Sequence, residues 1–471
     1  MKNLISMIFC FLTGFAFSQT PLTFEEPVKQ RVFVLTDITN EPDDQQSLVR
    51  FLVYANEYDI EGIVATTSTH LRTQVRQDKI EELIRNYGKV KPNLDKHAKG
   101  FPSMEQLLSL TTRHLPLYSM EGVGEGKDSP GSEMLIKAVD KADDRPLWVS
   151  VWGGANCLAQ AMWKVKNTRS EEELKKFVEK LRVYTISDQD FAGPWIRHNF
   201  PGIFYIVDAS AGDNWREYYK ATWTGIGGDR WYKNGPMYQF ELVDNPWLMA
   251  NIRDNHGPLG VNYIPLEYIM EGDTPSFIGL IQNGLAWDQS PAWGGWAGRY
   301  ELWKSYGEVD KIWTSSIGSQ DEVTLPDGRK EASNQATIWR FRDAFQYDFA
   351  ARMDWNVADA YEKANHNPIA VLNGNEGKAW ASAKVKEGEE VILSAKGSHD
   401  PDGDQIQLKW WIYREAGSFS GNLEIFNPYG EVIKFRMPKL AGGQSLHVIL
   451  EIRDSGTPTL TSYRRVVLTN L

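Results

Sequence analysis

The hydrophobic pattern of residues 31–210 changes period again and again. Continuous apolar runs ("RVFVLTD", "IEGIVATT", "PLWVSVW", "RVYTIS", "IFYIVD") read as buried strands. Between them, apolar positions recur at helical spacing. "DDQQSLVRFLVYANE" sets Leu48, Phe51, Leu52 and Ala55 on one face, and helical stretches follow around 74–87 and 132–142, in "NCLAQAMWKV" and in "EEELKKFVEKL". Strand–helix alternation predicts an α/β fold with an open, mostly parallel sheet and helices on both faces. Such sheets bind ligands beyond the C-terminal ends of their strands. The acidic turn after "RVFVLTD" falls there, as do "TTSTH", "WGGAN" and "SDQD".

Beyond residue 210 the pattern changes. Residues 211–300, rich in Gly, Trp, Asn and Pro, read as long irregular loops, and 334–364 as helical. From "NHNP" onward apolar and polar residues alternate with period two between turn dipeptides, which predicts an all-β, immunoglobulin-like sandwich. The opening "MKNLISMIFCFLTGFAFSQT" reads as a secretory signal peptide cut after Ser18. The expected division is therefore 1–18 signal peptide, 19–365 α/β domain with a helical extension, and 366–471 sandwich. The sandwich is expected to be an accessory, dispensable for folding of the first domain.

Composition narrows the function. A net charge of −11 without a basic run excludes nucleic acid as a partner. No second long apolar run follows the signal peptide, so no membrane span is expected. After processing only Cys157 remains, so no intrachain disulfide forms. A periplasmic or secreted protein fits these features. The 18 tryptophans cluster partly in "WDQSPAWGGWAGRY", where sugar stacking and core filling both stand as readings.

The chemistry concentrates in "TDITNEPDDQQ". Asp37, Glu41, Asp43 and Asp44 crowd into one strand–turn–helix. Adjacent carboxylates at about 4 Å repel by roughly 4 kcal/mol at a protein-surface dielectric. Asp43 and Gln46 form a capping-box pattern, which explains one carboxylate. A hard divalent cation, best Ca²⁺, explains the rest through oxygen ligands.

A strand ending in Asp, a turn, and Asp-Asp opening a helix resemble nucleoside hydrolases, which hold calcium there. More closely, "TDITNEPDDQQSLVRFLVYANEYDIEGIVATTST", "DQDFAGPWIRHNFPGIFYI", "NHGPLG", "EGDTPSFIGLIQNGL" and "WRFRDAFQYDFAARMDW" resemble the secreted bacterial family labelled cellulose-binding. That family joins a nucleoside-hydrolase-like domain to an immunoglobulin-like one. The resemblance implies metal ligands Asp37, Asp43, Asp44 and Asp273, with Asp37 as catalytic base. The chain departs from the nucleoside hydrolase pattern in two places. Asp37 lies six residues before Asp43, and the position with the family spacing is Thr39. Gly272 stands where a leaving-group histidine precedes the last aspartate, leaving His256 as the candidate to replace it.

Asn156 resembles a residue lining the sugar pocket, or serves as a helix N-cap. Asp188, Trp195 and Arg197 either read sugar hydroxyls or a uronate carboxylate, or form a salt-bridged loop scaffold. Asp400, Asp402 and Asp404 in "SHDPDGDQ" resemble a β-sandwich turn that holds a second calcium or is simply an Asp/Gly turn. Together these features imply a carbohydrate-active enzyme acting on oligosaccharides or polysaccharides. Its chemistry is metal-assisted glycosidic hydrolysis, or elimination (dehydratase or lyase type) at a uronic acid. The rivals are a non-catalytic cellulose- or carbohydrate-binding protein and a true nucleoside hydrolase.

Overall fold

The computed structural model describes residues 19–471 except 40, 209–214 and 420, so the expected signal peptide lies outside the described residues. Its strands run in chain order as β1 (Thr23–Glu25), β2 (Gln30–Thr36), β3 (Tyr58–Ala65), β4 (Thr111–Arg113), β5 (Leu147–Val151), β6 (Leu181–Thr185), β7 (Phe204–Ile206), β8 (Glu301–Trp303) and β9 (Ile312–Thr314). Strands β2 to β9 form an eight-stranded sheet in the order β4-β3-β2-β5-β6-β7-β9-β8. Every pairing in it is parallel except β8 with β9. The expected open, mostly parallel sheet is present.

Strand β2 shows why both faces are covered. Its side chains alternate, so Val32 and Val34 enter one apolar cluster while Phe33 and Leu35 enter the other. Helices α1 (Pro42–Val53) and α2 (Gln77–His97) and the later helix Arg342–Trp355 cover the first face. Helices Pro130–Asp140, Asn156–Thr168, Glu171–Glu179 and Ala192–Asn199 cover the second. Residues 215–300 hold only short helical turns, as their composition predicts.

The C-terminal part is strand-rich, with Trp380–Val385, Thr461–Asn470, Leu446–Asp454 and Ile406–Ile412 in one sheet and Glu390–Ser394 paired with Val432–Arg436 in another. The division at residue 365 is crossed twice. Strand β1 pairs antiparallel with Trp380–Ser382, and Leu22 and Phe24 pack into the sandwich core. Tyr413, Ile449 and Tyr463 of the sandwich enter the apolar cluster of the large sheet. Among the described residues no helix is long and apolar enough to cross a membrane.

Candidate metal-binding pocket

Strand β2 ends at Thr36 and delivers Asp37 to the sheet's C-terminal edge, where β2 is central and flanked by β3 and β5. A turn then leads from β2 to α1. Thr39 takes a left-handed backbone (φ 92°) within it. Helix α1 then opens at Pro42 behind Glu41 as N-cap, with no side-chain cap bond. The expected Asp43–Gln46 capping box is therefore absent. Gln46 instead reaches across to the loop of the last aspartate, accepting from the Glu271 N–H at 3.0 Å and donating to the Ile264 carbonyl at 2.9 Å.

Asp43, Asp44 and Asp273 each offer a carboxylate oxygen within 4.8 Å of the others. Asp44 accepts from the Thr36 hydroxyl and Asp37 from the Ser68 hydroxyl, both in very short hydrogen bonds. Asp37 Oδ1, Asp43 Oδ1 and Asp273 Oδ2 are buried without a hydrogen-bond partner. Buried oxygens of this kind are costly unless something else binds them. Burial pushes the Asp43 carboxyl up to about 8, aided by the charges of Glu41 and Asp37. Burial likewise raises Asp44 and Asp273, with repulsion inside the cluster adding to it, and it raises Asp37 against the Ser68 hydrogen bond. An all-oxygen set with orphaned lone pairs and mutual repulsion fits a hard divalent cation.

Two glycines let the chain come this close. A Cβ at Gly153 would lie 2.3 Å from Asp37 Oδ1, and one at Gly272 would lie 2.6 Å from Asp43 Oδ2. The floor formed by Asp43 and Asp273 opens into a cavity of about 270 Å³, whose ionisable lining also includes Glu41 and His70. Aromatic side chains build its walls: Tyr218, Trp223 and Tyr232 inside, Trp231 and Tyr268 at the exposed rim. Trp231 and Tyr268 pack edge to face at 4.9 Å.

Several expected site residues lie elsewhere. His256 starts the short helix Gly257–Gly260, which packs on α2, and its Nε2 faces Asp354 at 3.1 Å; it does not line the pocket. Asp188 and Arg197 form the scaffold alternative. Arg197 donates to both Asp188 oxygens at 2.9 and 2.8 Å and to Glu308 at 2.8 Å, and it stacks on Tyr205. This arginine is spent on buried partners and cannot grip a uronate. Trp195 packs on the sheet's second face, edge to Phe200. Asn156 is neither cap nor pocket wall: Ala155 is the N-cap, and Asn156 donates to Thr67 Oγ1 and the Leu117 carbonyl, tying two rim loops together. Trp287 and Trp296 fill the core and the half-buried Trp293 packs on Trp380, so of the two readings of this segment the structure favours core filling. Asp400 folds its own turn by accepting the N–H groups of Asp402 and Asp404, while Asp402 binds His366.

Residues 31–300 match the family described as "Cellulose-binding Sde182, nucleoside hydrolase-like domain", and residues 390–470 match "Cellulose-binding protein Sde0182, C-terminal domain". A solved structure of a nucleoside hydrolase-related hypothetical protein from Saccharophagus degradans, described as associated with carbohydrate metabolism, is 36% identical with a TM-score of 0.79. That match covers 94% of this chain and 100% of its own. The effector XOO4466 and the type III effector XopQ, the latter complexed with adenosine diphosphate ribose, match at 8% and 9% identity. Each has a TM-score of 0.29 and covers 61% of this chain and 87% or 88% of its own, too slight a likeness to bear on function. No curated protein matches the chain.

Proposed function

The chain belongs to the Sde182 family of cellulose-binding proteins with a nucleoside hydrolase-like domain, and from there we propose that it is an exported carbohydrate-active hydrolase whose acidic pocket is the active site. Asp43, Asp44 and Asp273 hold a divalent cation, with Asp37 beside them, and Ca²⁺ suits their oxygen-only chemistry. When bound, such an ion supplies a charge that orders sugar hydroxyls and lowers the pKa of a water.

The chain's own residues do the rest. Asp37, with one oxygen held by Ser68 and its pKa raised by burial, accepts the proton of an attacking water. Glu41 and His70 line the same cavity and are the groups placed to protonate a leaving oxygen. Trp223, Tyr232 and the rim pair present flat apolar faces to a sugar ring. The observation that carries this reading is the meeting of orphaned buried carboxylates and aromatic walls in one cavity.

Hydrolysis of an uncharged sugar is preferred to elimination from a uronate, because among the described residues no arginine or lysine lines the cavity to receive a second carboxylate. Nucleoside cleavage is disfavoured, because any side chain at the leaving-group position 272 would collide with Asp43. The test is incubation with a panel of neutral and acidic oligosaccharides, read by mass spectrometry. Products heavier in sum by one water support hydrolysis; loss of one water, or free base from inosine, selects a rival, and no product leaves binding alone.

A further inference from the structure

A second cleft lies between the two parts of the chain, with a volume of about 530 Å³ and no lining residue in common with the acidic pocket. One wall comes from the start of helix Arg342–Trp355 and the preceding Arg340 and Phe341. The other comes from the sandwich strands Ile406–Ile412 and Leu446–Asp454 and the loop bearing Tyr429. Clefts at domain junctions are common ligand sites.

The lining has a definite chemical character. Tyr429 is 61% exposed, a large apolar face left in water. Trp411 lines the same cleft, fixed by its Nε1 donating to Glu451 at 3.1 Å and by the Arg340 guanidinium over its ring at 5.5 Å. The ion pairs are closed within the protein. Arg340 binds Asp321 and Glu415, and Arg453 binds Asp343 and Glu451. Among the described lining residues no buried charge is left over to attract an ion. Gln239, held with a left-handed backbone (φ 45°), contributes a buried Oε1 that has no hydrogen-bond partner, and Gln407 and Lys409 stand exposed along the strand.

Aromatic faces, arginines closed in ion pairs, an orphaned acceptor and a single exposed lysine, Lys409, among the described lining describe a site for a flat, hydroxyl-rich ligand without a strong charge of its own. A pyranose with equatorial substituents offers apolar C–H faces for Tyr429 and Trp411 and hydroxyl donors for Gln239. We propose that this interdomain cleft binds a run of uncharged pyranose residues of a polysaccharide, independently of the acidic pocket. The sandwich would then hold substrate on the enzyme while the pocket works on another part of the chain.

Isothermal titration of the full-length protein with cellohexaose, and separately with hexagalacturonate, tests this. The expected result is saturable cellohexaose binding that is weakened about tenfold in Tyr429→Ala and also weakened in Gln239→Ala. Asp44→Asn impairs the acidic pocket, which is itself read as taking sugar, so in that background saturable cellohexaose binding at the cleft should persist and should be weakened by adding Tyr429→Ala. Tyr429 is exposed, so its removal should leave the melting temperature unchanged. The proposal is overturned by absence of wild-type binding, by loss of all binding in Asp44→Asn, by binding in the Asp44→Asn background that Tyr429→Ala leaves at full strength, or by tighter binding of hexagalacturonate. Failure of the hydrolysis assay would leave these outcomes untouched, so the two readings fail separately.

Discussion

Arg50 on α1 grips both carboxylate oxygens of Glu271, and both side chains are wholly shielded from solvent. Tyr263 and Thr274 donate to the same carboxylate, and Arg50 also reaches the Phe345 carbonyl at 3.0 Å. Asp43 and Asp44 open the helix that carries Arg50, and Asp273 lies two residues after Glu271. This pair is what brings Asp273 against Asp43 and Asp44.

Removing one partner from a buried ion pair costs about 3–5 kcal/mol, because the other charge is left uncompensated. Glu271→Gln should therefore lower stability by that order and weaken cation binding, measured by denaturation and by calcium titration. Arg50→Lys keeps the charge but loses the two-pronged grip, and should weaken calcium more than it destabilises the fold. Unchanged calcium affinity in both variants would mean the clamp does not set the ligand geometry.

Gly153→Ala is the corresponding test from the other side of the site. Its Cβ has no room beside Asp37 Oδ1, so Asp37 must move or leave its Ser68 partner. Activity on any oligosaccharide substrate should fall at least as far as in Asp37→Asn, while far-ultraviolet circular dichroism stays native. Wild-type turnover in Gly153→Ala would remove Asp37 from the catalytic role.

Truncation after residue 365 should fail to give soluble protein, against the expectation of a detachable accessory. Phe341 packs against Tyr413 and Tyr463 of the sandwich, and the buried Asp321 accepts from the Tyr413 hydroxyl at 2.5 Å. Each such aromatic loses about 1.5–3 kcal/mol of burial when its partner surface is cut away. Soluble expression of 19–365 with a cooperative melt would show that the shared cluster is dispensable.

Periodicity made the sheet legible, and carboxylate crowding marked Asp37, Asp43 and Asp44, because strand ends and helix starts have local signals. What stayed hidden was non-local. Trp223, Trp231, Tyr232 and Tyr268 wall the pocket from a stretch without period, where nothing local separates them from the interior Trp287 and Trp296. Arg197 looked available in the sequence because its second acidic partner, Glu308, lies 111 residues away. Strand β1 is three residues long, and its partner Trp380–Ser382 sits at the other end of the chain. His70 had a signal: it ends "TTSTH", one of the polar loops at a strand end, and the same site logic could have selected it over His256.

The pH dependence of the metal-free protein should run opposite to that of most proteins. Asp37, Asp43, Asp44 and Asp273 all have folded-state pKa values raised by burial, Asp43 to about 8, against about 3.9 for an unfolded aspartate. Between those values the folded state binds more protons than the unfolded one, so stability is fully present below the unfolded pKa and is lost as pH rises toward 8. Glu57 does not mask this: Lys378 and Arg352 outweigh its burial and hold it at about 2, so its own loss of stability falls at more acid pH. Burial lowers the pKa of His114 and His447, which adds stability as pH rises to about 6.5 and opposes the aspartates below that point, so in chelator the denaturation midpoint should fall between about pH 6.5 and about pH 8. Calcium, which binds the ionised carboxylates, should restore most at the alkaline end, by about 2.7 kcal/mol at a hundredfold excess over its dissociation constant. Asp43→Asn should flatten the metal-free slope and remove the calcium gain together. A metal-free protein that grows more stable toward pH 8, with no response to calcium, would mean the carboxylates are solvated and paired rather than poised for a cation.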